Sequence, residues 1–439
     1  MEIVKLSMYP SKFNFSDLKF TIIPIGLYSS SQVFSWITIL LLLSELLHIK
    51  FSEEKIVYNK RANLLMTFFF LLVAGLFFDI LNTESSIDNK HLIRSLKFIE
   101  RGLPFIAFPL LFSFRPIASY QIRLAQKAFL YITLLIALIC LCHGIYKQIV
   151  EPDRIISNWD FYSTQEFYEQ YPIDPINWGY FVYRELSSTV GFHPIYLSIY
   201  CILALLISLE ELRSSNLSIK KWRLIIFIII LVFFVFLLGG RMPLIILFVI
   251  VFYQLFLLRR FKKKIIFITL ATLLLISALL FLLKPLTFRL LNEYNRIENS
   301  LSRPTGNNRV YYWRTAIKLI KDQPFLGYGL SGARNNLQRS YNNDGFNQYF
   351  NTHNQFLMIT LESGVVGFII FTGLLVYKFF ISFKHQRSDY TLFLIIVVLL
   401  MLTENIFDRH KGILIFALFN TLYYLEIRNP KFYKIRSSR

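Results

Sequence analysis

Apolar residues occur along this chain in long runs that are separated by short polar segments. The runs are about 17 to 25 residues long and do not alternate with polar positions, which predicts transmembrane helices rather than strands. A shorter run at 17–29, interrupted by Pro24, is a candidate for one more span. The expected fold is an all-α polytopic integral membrane protein with 11–12 transmembrane helices and a large, partly helical external loop. The other spans are predicted near residues 31–48, 61–81, 95–113, 126–148, 191–212, 221–239, 242–259, 264–284, 354–381, 389–404 and 411–427.

Composition agrees with this class of protein, since 55% of the 439 residues are hydrophobic and 17% are charged. The N-terminal segment contains Lys5, Lys12 and Lys19 but no compact apolar core before a small-residue cleavage site, so we expect no cleavable signal peptide. The cysteines lie within apolar runs and lack Cys-x-x-Cys spacing. They predict neither a disulfide framework nor a zinc site.

Basic residues indicate which loops face the cytoplasm. Lys and Arg accumulate in every second connection, at 50–61, 115–127, 213–223, 259–264, 378–387 and 431–439. Because short cytoplasmic loops are rich in Lys and Arg, the other loops are predicted to face outward, namely 82–94, 149–190, 239–241, 285–352 and 405–410. Twelve spans with a cytoplasmic N-terminus are favoured over eleven. The net charge of +20 follows mostly from this rule and does not indicate nucleic-acid binding.

The external loop 285–352 is basic although it lies outside, which favours an anionic ligand. Within this loop, residues 307–322 are predicted to form a helix that Asn307 or Asn308 caps and that Pro324 follows. Its apolar stripe should lie on the membrane surface or on the helix bundle, and it consists of Val310, Trp313, Ile317 and Ile320.

Arg309 stands in the first turn of this predicted helix, where free backbone N–H groups attract anions, so a phosphate site is one interpretation. A helix at the membrane surface whose Arg314, Lys318 and Lys321 reach lipid headgroups explains these residues equally well. The sequence GYGLSG at 327–332 has the spacing of a dinucleotide-binding loop, but it follows a helix rather than a strand. Its glycines are expected to form a tight turn with positive φ angles.

The other long external loop, 149–190, is acidic and aromatic, and Arg154 and Arg184 are its basic residues. Carboxylates that accept hydroxyl hydrogen bonds and aromatic faces that cover C–H surfaces suit a sugar-binding groove. An aromatic belt at the bilayer interface is the alternative interpretation.

Further polar residues stand at the outer ends of predicted spans. Arg241 follows Gly239-Gly240 and either acts on a ligand or extends to the membrane surface. His193 opens a span, and a structural role is favoured for it. Glu404 ends the penultimate span, where Arg409 or a basic residue of loop 285–352 would pair with it. His353 and Asn354 open a long span.

Four motifs resemble the O-antigen ligase and O-antigen polymerase superfamily, membrane glycosyltransferases of bacterial surface-polysaccharide assembly. One departure is Ile245, which stands where the family often has leucine. The motifs are GGRMPLI at 239–245, NNRVYYWRTAIKLIKDQPFLGYGLSG at 307–332, THNQFLMITLESGVVG at 352–367 and LTEN at 402–405.

The resemblance implies transfer of an oligosaccharide from undecaprenyl pyrophosphate to a saccharide acceptor, either a lipid A core or a lipid-linked glycan. The reaction would take place at the outer, periplasmic face of the inner membrane, without a cofactor or metal. Membrane lipids would be further partners. The resemblance also allows partners among the proteins for polysaccharide export or chain-length control.

By the same resemblance, Arg241 and Arg309 would hold the pyrophosphate and His353 would be the base. The positive end of the helix dipole and the nearby arginines would keep the imidazole neutral. Glu362 lies about 13 Å along the helix and is expected to fix a neighbouring segment, and Gly364 and Gly367 to pack helices closely. The candidate substrate-binding residues are Arg314, Arg184, His193, Asn354 and Glu404.

Three parts are predicted, an N-terminal bundle at 1–284, a catalytic loop at 285–352 and C-terminal helices with a cytoplasmic tail at 353–439. The motifs do not separate a ligase from a polymerase of O-antigen, capsule or exopolysaccharide, although the acidic aromatic loop slightly favours a polymerase. A transporter or flippase of polysaccharide or lipid-linked substrates is the alternative, and it predicts mid-membrane charges and inverted repeats. The span centres are nearly free of charges, which favours chemistry at one face.

Overall fold

The computed structural model describes residues 17–51, 58–82, 89–115, 117–152, 177–214, 219–257, 309–345 and 351–426. Within these ranges the chain forms helices joined by turns. The described residues fall into two compact units. The first unit comprises those within Met1–Ala125 and Pro304–Arg439, and the second those within Gln126–Arg303.

The helices are numbered in chain order. Those up to the middle of the chain are α1 (Lys19–Gly26), α2 (Ser31–Phe51), α3 (Ala62–Asn82), α4 (Asn89–Gly102), α5 (Pro104–Ser113), α6 (Ser119–Val150), α7 (Tyr183–Ser188), α8 (Pro194–Arg213), α9 (Lys221–Leu238) and α10 (Arg241–Leu257). The helices that follow belong to the first unit and are α11 (Arg309–Asp322), α12 (Leu330–Asn343), α13 (Gln355–Lys384), α14 (Ser388–Met401) and α15 (His410–Glu426).

The helix lengths confirm a polytopic all-α membrane protein. Among the described residues, five helices are long and apolar enough to cross a membrane, and they lie within α2, α6, α8, α9 and α13. Shorter apolar helices occur within α3, α10 and α14. All of these coincide with predicted spans, whereas the predicted span 264–284 lies outside the described residues.

Two predicted spans have a different structure. The run at 95–113 is divided between two helices. Helix α4 ends at Gly102, and Pro104 begins α5 after the turn residue Leu103. The run at 17–29 forms α1, whose 8 residues extend about 12 Å, less than half the thickness of a hydrocarbon core. Its Lys19 is buried and pairs with Glu45 at 3.0 Å, so α1 packs into the bundle as a short element.

Helix α13 is interrupted at Gly364, where φ is +64° and ψ is −169°. The interruption exposes backbone groups that bind the loop between α11 and α12. Tyr328 N donates to Leu361 O at 2.8 Å, and Val365 N donates to Pro324 O at 2.7 Å. The expectation that Gly364 packs helices together was therefore wrong, because it packs a loop against the broken helix.

The helix predicted at 307–322 is confirmed as α11, while its predicted caps lie outside the described residues. Tyr312 and Ala316 are buried against α12 and α13 and form a core with five other residues, Ala333, Leu337, Tyr341, Met358 and Leu361. The predicted apolar stripe is divided between two environments. Trp313 and Ile320 border this core, whereas the side chains of Val310 and Ile317 are exposed.

Segments predicted to share the outer side lie together in the first unit. Arg94 of α4 donates to Asn335 of α12 at 2.7 Å, and Arg334 of α12 pairs with Asp408, which precedes α15. The first unit thus gathers parts of loops 82–94, 285–352 and 405–410 around the start of α13, which agrees with their common side.

Candidate functional site

One carboxylate holds an arginine and a histidine from distant parts of the chain. Arg309 Nη2 donates to Glu404 Oε1 at 2.9 Å, and His353 Nδ1 lies 3.4 Å from Glu404 Oε2. The side chain of Glu404 is 10% exposed, whereas those of Arg309 and His353 are 38% and 32% exposed. A nearly buried carboxylate therefore fixes two groups that each keep an edge open to a ligand.

Three helix ends bring these residues together. Arg309 begins α11, and Glu404 N donates to Leu400 O at 2.8 Å, beyond the end of α14. Asn354 caps α13, because its Oδ1 accepts from the amides of the two residues that follow Gln355. His353 therefore precedes a helix start, as the sequence predicted.

The imidazole of His353 is held from several sides. Its backbone has a positive φ of 46°, and His353 N donates to Asn351 Oδ1 at 3.1 Å. The ring stacks on Tyr312, with centroids 5.9 Å apart and planes at 29°. Burial raises the pKa of Tyr312, so this phenol stays neutral beside the ring.

The contact with Glu404 selects which ring nitrogen can act. A carboxylate accepts hydrogen bonds, so the contact at 3.4 Å is favourable when Nδ1 of His353 carries the hydrogen. In the neutral ring, Nε2 then keeps its lone pair and can accept a proton. This is the arrangement that a general base needs.

The electrostatic surroundings of His353 differ from the expectation. The sequence indicated a positive environment, made by the helix start and by nearby arginines, whereas the structure adds the carboxylate of Glu404. Of the two partners proposed for Glu404, the structure shows the residue from loop 285–352, which is Arg309. The charge of Glu404 thus offsets that of Arg309 next to the imidazole.

The glycine-rich segment GYGLSG has a structural role in the described unit. Gly327 and Gly329 have φ angles of +69° and +78°, as predicted for a tight turn. The amides of Ser331 and Gly332 donate to the carboxylate of Asp79, at 2.9 to 3.0 Å. A side chain of α3 thus occupies the start of α12, which sequence inspection did not suggest.

The first unit also contains a buried charged cluster that no sequence pattern indicated. Arg334 has a side chain only 3% exposed and pairs with Glu362 at 2.6 Å and with Asp408 at 2.5 Å. The pair with Glu362 confirms that this glutamate fixes a neighbouring segment. Arg334 stood in the sequence among other basic residues of the same loop, so its burial had no local signal.

The remaining candidates lie in different places. Arg314 is exposed on α11, and the amide of Asn354 also donates to Leu402 O at 3.2 Å. Arg241 begins α10, Arg184 is exposed on α7, and His193 precedes α8, all in the second unit. The structure brings together Arg309, His353, Glu404 and Asn354. Substrate binding by any of these candidates stays a prediction.

No metal cluster is found in the described part of the chain, where no three His, Cys, Asp or Glu side chains are grouped as ligands. The site of Arg309 and His353 presents a guanidinium, an imidazole and a carboxylate.

Comparison with known proteins relates one segment of the chain to a described family. Residues 225–372 match the sequence model of the family described as O-antigen ligase. This segment includes Arg241, Arg309 and His353, whereas Glu404 lies beyond it.

Several rickettsial proteins are similar to part of the chain. A Rickettsia felis protein named "Putative polysaccharide ligase" is 28% identical over 119 residues, which are 24% of this chain and 29% of that protein. The protein of that name from Rickettsia conorii gives the same identity and coverage. The one from Rickettsia typhi is 26% identical over 140 residues, 29% of this chain and 34% of that protein.

The chain thus covers about a third of the length of these relatives. The family match, the names of the relatives and the apolar helices agree with the motifs read from the sequence. Residues 225–372 of this multi-pass membrane protein thus resemble the O-antigen ligase family.

Proposed function

We propose that this protein is a membrane glycosyltransferase that moves an oligosaccharide from undecaprenyl pyrophosphate onto a saccharide acceptor. The observation that carries this proposal is the shared contact of Arg309 and His353 with Glu404. The relatives named as polysaccharide ligases support the same class of reaction.

The proposed reaction substitutes the anomeric carbon of the donor sugar. The acceptor hydroxyl oxygen forms a bond to this carbon, and the bond from the carbon to the pyrophosphate oxygen breaks. The electron pair of the broken bond leaves with undecaprenyl pyrophosphate, and the hydroxyl proton moves to Nε2 of His353. The carboxylate of Glu404 then stabilises the imidazolium that forms.

Arg309 supports departure of the pyrophosphate. A guanidinium carries five N–H donors, and the contact with Glu404 engages Nη2, so other donors can bind phosphate oxygens. Cations near the leaving group stabilise the charge that develops as the glycosidic bond breaks. Arg241 lies in the same family segment but in the second unit, and its role as a further cation stays a prediction.

The proposed location is the outer face of the inner membrane. Loops 82–94, 285–352 and 405–410 alternate along the chain with the basic cytoplasmic loops, and contacts in the first unit join their described parts. A site at the mouth of the apolar helices would also be open to a lipid-linked donor.

The test is a transfer assay with the full chain in proteoliposomes that contain the lipid-linked donor and a saccharide acceptor. His353→Ala should lower turnover by about 10² to 10⁴, the usual contribution of a general base. Arg309→Ala should also lower transfer. Arg339→Ala is the matched control, because Arg339 is an exposed arginine of α12 in the same loop.

Protein amount and oligomeric profile are compared for every variant. Transfer by His353→Ala and Arg309→Ala at the wild-type rate would refute the proposed site. Movement of the intact lipid-linked glycan across the membrane, without glycosidic transfer, would favour a transporter instead.

A further inference from the structure

Arg334 is a buried arginine whose terminal nitrogens are engaged inside the protein. Nη1 donates to Glu362 Oε1 at 2.6 Å and Nη2 donates to Asp408 Oδ1 at 2.5 Å. The guanidinium carbon also lies 3.7 Å from the ring centroid of Phe98. Because the side chain is only 3% exposed, Arg334 acts on the protein itself and not on a substrate.

The second oxygen of Asp408 orients two side-chain amides. Oδ2 of Asp408 accepts from Asn351 Nδ2 and from Asn405 Nδ2, each at 3.3 Å. Since a carboxylate beside a guanidinium accepts hydrogen bonds, both amides turn their NH₂ groups toward it and their oxygens away. In this orientation each amide oxygen accepts a hydrogen bond from a donor on the other side, either Thr352 Oγ1 or His353 N.

The oxygens of these two amides hold Thr352 and His353 in place. Asn351 Oδ1 accepts from His353 N at 3.1 Å, and Asn405 Oδ1 accepts from Thr352 Oγ1 at 3.1 Å. Thr352 is fully buried. A chain of contacts therefore leads from Arg334 through Asp408 to the backbone of His353.

His353 needs such support because of its backbone conformation. A φ of +46° lies in the left-handed region, which costs a residue with a side chain about 1–2 kcal/mol. Strained residues persist where the surroundings fix them. The strained turn directs the imidazole to Glu404 and Tyr312, so loosening the turn would displace the ring.

We propose that Arg334 and Asp408 are positioning residues that hold His353 in its working orientation. This inference rests on the proposed glycosyl transfer and adds the residues on which its base depends. Arg334 fixes Asp408, Asp408 fixes the amides of Asn351 and Asn405, and these fix the turn at residues 352–353.

The experiment compares Asp408→Asn and Asn351→Ala with the wild type in proteoliposomes. Turnover should fall about tenfold to a hundredfold, because small displacements of a catalytic group have effects of this size. The donor KM should stay within about twofold, since neither substitution removes Arg309 or Glu404. A variant that misfolds, or whose donor site is displaced, would not show a lower turnover together with an unchanged donor KM.

Asp389→Asn is the matched control. Asp389 is also largely buried and binds Arg387 through both oxygens, at 3.0 and 2.7 Å, at the end of α14 opposite Glu404. Its replacement should lower thermal stability as Asp408→Asn does, but leave turnover unchanged. Asn351 lies on a partly exposed turn, so Asn351→Ala decides the question by itself if Asp408→Asn does not fold.

The outcomes separate this inference from the proposed function. Loss of transfer in His353→Ala, together with full turnover in Asn351→Ala and Asp408→Asn, would overturn only the positioning role. A rise in donor KM that matches the fall in turnover would overturn it as well. Wild-type transfer by His353→Ala would reject the glycosyltransferase site itself.

Discussion

Replacing Gly364 with alanine should destabilise the protein strongly, because the break in α13 requires glycine. The φ of +64° and ψ of −169° lie in a region that is essentially confined to glycine. A Cβ atom at this position would lie 2.0 Å from Phe325 O, and this neighbour is backbone rather than a flexible side chain. The loop at residues 324–329 would have to move.

The size of the effect follows from what this movement breaks. Forcing a residue with a side chain into this conformation costs about 1–3 kcal/mol. Three backbone hydrogen bonds no longer than 3.0 Å join the loop to the break, namely those from Tyr328 N, Gly329 N and Val365 N. Each contributes about 1 kcal/mol, so the total destabilisation should be about 4–6 kcal/mol.

The assay is thermal unfolding of the purified full chain in detergent, followed by tryptophan fluorescence and by retention of the monodisperse peak. Gly373→Ala is the control, because Gly373 lies in the same helix and a Cβ there meets nothing within 4 Å. This control should be neutral or raise stability by up to about 1 kcal/mol. If Gly364→Ala unfolds at the same temperature as Gly373→Ala, the reasoning is refuted.

Three further predictions concern side chains around the site. Glu404→Gln should lower turnover and also lower the donor KM, because the neutral amide no longer competes with pyrophosphate for Arg309. Steady-state kinetics measure both constants, and a raised donor KM would contradict this prediction. Asp79→Ala should lower the stability of the protein by about 0.5–2 kcal/mol, because the first amides of α12 lose their acceptor, and Asp79→Asn should lower it less. Differential scanning fluorimetry measures both variants, and equal losses of stability would contradict this order. Burial, and to a smaller extent Asp344, raise the pKa of Tyr311 to about 12 from its ordinary 10. The neutral phenol therefore stabilises the folded protein fully below pH 10, and this stabilisation is lost as the pH rises through about 12. The tyrosinate absorbance of Tyr311→Phe subtracted from that of the wild type should show this late step, and a difference centred at pH 10 would be evidence against it.

The elements that the sequence predicted well depend on local properties. The helix α11 follows from its spacing of apolar residues and from Pro324 beyond its end, and the positive φ angles of Gly327 and Gly329 follow from the glycine-rich turn. The division of the run 95–113 into α4 and α5 was missed because averaged hydropathy hides a change of helix at a proline.

The site was predicted in part. His353 and Arg309 were selected from motifs, and the structure places both on Glu404, which lies 95 residues from Arg309. Arg314 and Arg334 belong to the same basic loop, yet the first is exposed on α11 and the second is buried between Glu362 and Asp408. Nothing adjacent to either arginine in the sequence separates these outcomes.

The sequence by itself determined that this chain is an all-α membrane protein and where most of its spans lie. Partition of apolar segments into a membrane depends on the residues of each segment, so it can be read locally. Only the tertiary structure decided that Glu404 joins Arg309 to His353, that Arg334 is internal and that α13 breaks at Gly364 to bind a loop. Burial and charge pairing depend on partners that packing brings from far along the chain, and those partners have no signature in the segment they meet.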